Sequence, residues 1–216
     1  NLTKSHRLCT GVTGYFAEAS SIPGSDMSDL RAFMAGRMVF DPSLDVDELL
    51  QGFVEAFYGG GAAAKRVGEY IRLISTAYAT ANTSVDFTGR AWSGGVNGLE
   101  ERYCGHGPNS SVFGNETLLR AAALLKQAKQ AASEPKFQQR IAIDSMHLQY
   151  VLLVRWDSLR ANATATRTPW PAQETKEAEF ELFAAAYNAS GITGFKEMRK
   201  YPPRCGGLSP CWTGME

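Results

Sequence analysis

Histidine is scarce in this chain, with three in 216 residues, and cysteine occurs only four times, never as C-x-x-C. Cys104 and His106 alone make a poor zinc site, because no second histidine stands at ligand spacing. Charge of either sign is not in excess: 22 basic residues meet 22 acidic ones. Lysine and arginine never run to four in succession, which excludes nucleic acid and acidic membranes as main partners. No apolar stretch reaches the roughly 18 residues of a membrane span, and the one around Tyr150–Val154 is broken at Arg155. The glycine runs at 59–61 and 94–95 lack a following Lys-Ser/Thr, so neither is a phosphate loop. No Ser-His-Asp or Cys-His arrangement stands out. No metal and no cofactor is expected.

What is present is an ordinary globular composition, 44% hydrophobic and 20% charged, in a chain long enough for a real core. Asparagine use is one-sided. Of seven asparagines, Asn1, Asn82, Asn109, Asn115, Asn162 and Asn188 precede Ser or Thr by two residues with no intervening proline; Asn97 does not. Serine and threonine are 30 of 216 residues, so chance supplies about one such acceptor site. The pattern predicts a secreted glycoprotein with those asparagines on its surface. Disulfides fit that oxidising compartment. Four cysteines allow three pairings. Cys205 and Cys211 enclose a flexible Gly-Gly-Leu-Ser-Pro turn, and pairing them leaves Cys9 with Cys104. The chain begins at Asn1 and reads as a processed or partial product.

Periodicity predicts a mainly α protein with one β-strand near the start, Val12–Phe16, for which no partner strand is visible. A helix follows Pro23-Gly24, with Ser25 and Ser28 as caps and Leu30, Phe33, Met34 and Met38 at helical spacing; Asp41-Pro42 ends it. Asp45 caps a second helix that stops at Gly59-Gly60-Gly61. A third runs from about Ala62 to Tyr78, and a long loop follows to Gly114. Two long helices, Asn115–Ala132 and Lys136–Asn162, are expected as an antiparallel hairpin, with Pro135 at a first-turn position. A Pro-Trp-Pro linker at 169–171 leads to a helix from Glu174 to about Asn188. The implied division is 1–44, 45–200 and an irregular, disulfide-bearing tail at 201–216.

The runs G-V-T-G-Y-F-A-E, D-M-S-D-L-R-A-F-M-A-G-R-M-V-F-D-P-S-L-D-V-D-E-L-L-Q-G-F-V-E-A-F-Y-G-G-G and E-Y-I-R-L-I carry a resemblance. They are similar to a domain of unknown function in uncharacterised glycoside-hydrolase-like proteins, where it follows a barrel like those of α-glucuronidases and α-N-acetylglucosaminidases. Phe40-Asp41-Pro42 and Phe57-Tyr58-Gly59 stand at the family's aromatic steps, with Phe as a mild departure. The resemblance implies that Val12–Phe16 is the last strand of a (β/α)-barrel lying upstream, and that the helical domain supports it. It implies carbohydrate as partner, beside that upstream barrel, in the same protein or another processed chain. Glu18, just past the strand, then faces the rim where barrel enzymes act, as a sugar-hydroxyl acceptor or one member of a carboxylate pair. Tyr15 and Trp92 are candidates to stack on sugar faces. The other class of function consistent with these residues is a non-catalytic extracellular structural or adhesion glycoprotein on the same scaffold. His147, between Met146 and Leu148, reads as a core histidine.

Overall fold

The computed structural model describes residues 27–80 and 113–191. Among them are seven helices: α1 Ser28–Phe40, α2 Val46–Tyr58, α3 Gly61–Thr80, α4 Asn115–Ala131, α5 Pro135–Val154, α6 Trp156–Thr166 and α7 Lys176–Ser190. The protein is mainly α, as its periodicity predicts. The strand at 12–16 lies outside the described residues.

Local chemistry explains most of the boundaries. Asp45 accepts hydrogen bonds from the backbone N–H groups of Asp47 and Glu48, both at 2.9 Å, so two donors that the first turn of α2 leaves open are satisfied. Gly59 ends α2 at φ 92°, a left-handed conformation that favours glycine. Asp41 closes α1, its N–H donating to Arg37 O at 3.0 Å. At the front of α1 Ser28 is not the cap the sequence predicts. Ser28 is already helical, Ser25 lies outside the described residues, and the residue before the helix is Met27 at φ 48° with no side-chain cap.

The sequence predicts one helix across 136–162, and the structure breaks it at Arg155. That residue has φ −101° and ψ 20°. Its Nη1 donates to Phe113 O at 3.1 Å and its Nη2 to Asn115 Oδ1. A buried guanidinium needs such acceptors, and both come from the residues that open α4. Sequence spacing around 155 contains no trace of them.

The main core lies where α4 is enclosed. Leu118, Leu119, Ala121, Leu125 and Ala128 are buried, and α4 packs on α3, α5 and α6. α5 presents Ile141, Leu148, Val151 and Leu152 to this core. The antiparallel α4–α5 hairpin accounts for both stripes. A second cluster, Met146, Tyr150, Leu153, Trp156, Phe183 and Tyr187, joins α5 and α6 to α7. Trp170 in the linker seals it, edge-on to Trp156 with ring centroids 4.9 Å apart, and its Nε1 donates to Gln173 O at 2.7 Å.

Candidate functional site

Most of the residues singled out from the sequence lie outside the described regions: Tyr15, Glu18 and Trp92, all four cysteines (Cys9, Cys104, Cys205 and Cys211), and Asn1, Asn82 and Asn109. Three candidate glycan acceptors are described. Asn188 is exposed on the last turn of α7. Asn115 is half-buried at the start of α4, its amide oxygen receiving Arg155 and its Nδ2 donating to Ser158 Oγ at 3.3 Å. Asn162 is half-buried within α6, and its Oδ1 is enclosed with no hydrogen-bond partner among the described residues.

A cavity of about 250 Å³ opens between α4, α5, α7 and the linker before α7. One wall is apolar, from Leu125, Leu148, Leu152 and Leu182. Glu179 also lines it, only 4% exposed. Gln149 Nε2 donates to its Oε1 and the Gln173 N–H to its Oε2, each at 3.0 Å. The helical start that places Glu179 is set by Thr175, whose hydroxyl accepts from the Ala178 N–H at 3.2 Å. Lys126 and Lys129 line the cavity from α4, three residues apart and so on one helix face, and Lys126 Nζ donates to Pro171 O at 3.0 Å. Sequence reasoning missed this group, because Lys126, Gln149, Gln173 and Glu179 each look like residues of a solvated helix face or linker.

A second polar cluster sits where α1, α2 and α5 meet. Tyr58 Oη donates to Asp144 Oδ2 at 2.7 Å and lies 3.3 Å from Met27 Sδ. His147, one turn after Asp144, is 2% exposed. Burial, and then the Arg31 charge, pull its pKa down to about 3, so it is a neutral imidazole at physiological pH. Among the described residues, no group of three or more His, Cys, Asp or Glu could hold a metal ion. None of the described helices is long and apolar enough to cross a membrane.

Residues 5–72 match a family described as Domain of unknown function (DUF4838). The matched stretch takes in α1, α2 and the first part of α3. No curated protein and no solved structure matches the chain. The Tyr58–Asp144 bond therefore ties the matched stretch to α5, beyond its end. Arg140 makes a second tie, its Nη1 donating to Phe57 O at 2.8 Å with the guanidinium 4.3 Å from the centre of the Phe57 ring.

Proposed function

We propose that this chain is part of a secreted, N-glycosylated, glycoside-hydrolase-like protein that binds or acts on carbohydrate, its helices bracing a barrel that lies upstream in sequence. The observation that carries this reading is the placement of six of seven asparagines in acceptor motifs. The exposure of Asn188 and the outer face of α1 support it. Asn188 is exposed, as an acceptor must be, while Asn115 and Asn162 are half-buried, the first with its amide engaged by Arg155 and Ser158 and the second with its Oδ1 enclosed. Helix α1 shows apolar residues to solvent, Phe40 at 92% exposed and Phe33 and Val39 beside it, as a helix resting on another domain does. In this reading Glu18, Tyr15 and Trp92 contact the sugar, and the four cysteines form disulfides.

The non-catalytic adhesion or structural reading is favoured by how the buried acid Asp144 is used. Asp144 accepts from Tyr58, and that is a structural engagement. Both readings are tested on protein from its natural source. Intact mass is measured before and after enzymatic deglycosylation, and the native protein is then applied to a polysaccharide panel. A fall in mass and retention on at least one polysaccharide are expected. An unchanged mass removes the secreted glycoprotein reading, and glycan loss without sugar binding or hydrolysis favours the adhesion role.

A further inference from the structure

We propose that the cavity between α4, α5 and α7 binds a small amino carboxylate, a molecule with an ammonium group and a carboxylate group joined by apolar carbon. This inference is independent of the carbohydrate reading. Glu179 is its starting point. The carboxylate is almost wholly out of water, yet its hydrogen-bond donors, the Gln149 amide and the Gln173 backbone N–H, are both neutral. A carboxylate removed from water is normally balanced by an opposite charge. The start of α7 offers only the fractional positive charge of a helix N-terminus. Each oxygen of Glu179 receives one hydrogen bond from these donors and keeps acceptor capacity, so a ligand ammonium on the cavity side can supply the missing charge through a charge-assisted bond.

Two groups of the complementary sign, Lys126 and Lys129, line the same cavity. Lys126 gives one proton to Pro171 O and has two others to direct at an anion. Lys129 lines the cavity as well and is exposed. The lining also includes leucine surface from Leu148, Leu152 and Leu182, which suits methylene groups better than a ring of hydroxyls. The volume, about 250 Å³, is roughly eight times the ~30 Å³ share of one liquid water. That is room for a single small molecule.

The test is titration calorimetry on the full 216-residue chain. The probes are straight-chain amino carboxylates of increasing length up to aminohexanoate, with hexylamine and hexanoate as single-charge controls and glucose as a neutral one. At least one amino carboxylate is expected to bind saturably, and more tightly than all three controls. Glu179→Gln and Lys129→Ala should each weaken that binding about tenfold or more, the effect of losing one charge-assisted contact. Thermal melts establish that each variant is folded. Lys129 is exposed, so its variant carries the test alone if Glu179→Gln does not fold. Absence of amino carboxylate binding at millimolar concentration overturns the proposal. So does equal affinity in Lys129→Ala, or a control that binds as tightly.

Discussion

At the scale of single residues, the titratable side chain held deepest in α5 is His147. It is buried beside Asp144, whose carboxylate is engaged by Tyr58, and it faces the charge of Arg31. Its folded pKa of about 3 lies below the ordinary 6.5, so the unfolded chain takes up the proton more readily. The resulting stability is fully present above pH 6.5 and is lost as pH falls toward 3. At pH 5 the loss from this one group is about 2 kcal/mol. Urea unfolding at pH 7 and pH 5 measures it, and His147→Gln should remove most of the difference between the two. An unfolding free energy that is the same at both pH values contradicts the assignment. The apolar neighbours Met146 and Leu148 made the burial of His147 legible. The charge that faces it was not, because Arg31 approaches from α1, more than 100 residues away in sequence.

At the scale of elements, the sequence was most readable where an end is set by a local group. Asp45 caps α2 through its own side chain, and Gly59 closes it, so both were visible in a short window. Gly59 has a further duty. A Cβ there would overlap the Phe137 ring of α5, and the backbone is left-handed. Gly60, at φ 69°, is left-handed too, but nothing lies within 4 Å of its Cβ position. Gly60→Ala should therefore cost only the backbone strain, about 1 kcal/mol, while Gly59→Ala adds the displacement of a buried ring and should cost about 3 kcal/mol. Denaturant unfolding of the two variants gives the comparison, and equal losses rule out close packing against Phe137 as the reason for glycine. The break at Arg155 and the Glu179 cavity were illegible for one shared reason. Their partners, Phe113 and Asn115 in one case and Lys126 and Gln149 in the other, are brought in by tertiary packing at 30 to 53 residues' separation. A polar residue in a helical pattern gives no sign of being enclosed.

At the scale of the whole molecule, burial is concentrated in α4 and α5 and is least in α1. α4 has seven buried residues and is enclosed by α3, α5 and α6. α1 has one, Leu30, and rests mainly on α2 through contacts such as Phe33 on Phe53, ring centroids 5.1 Å apart. Helices with few buried contacts open at lower free energy than the core. Amide hydrogen exchange on the 216-residue chain should accordingly show α4 and the Ile141–Leu152 part of α5 exchanging only through global unfolding, with α1 exchanging first among the described helices. Phe40→Ser provides the control. At 92% exposed, its loss should shift global stability by less than about 0.5 kcal/mol and leave exchange in α4 untouched. Tyr58→Phe removes the hydroxyl that bonds Asp144 and should speed exchange in both α2 and α5, since a buried acceptor left without its donor costs about 1–3 kcal/mol. Slow exchange in α1 equal to that of α4 would mean that α1 is held by contacts stronger than those with α2.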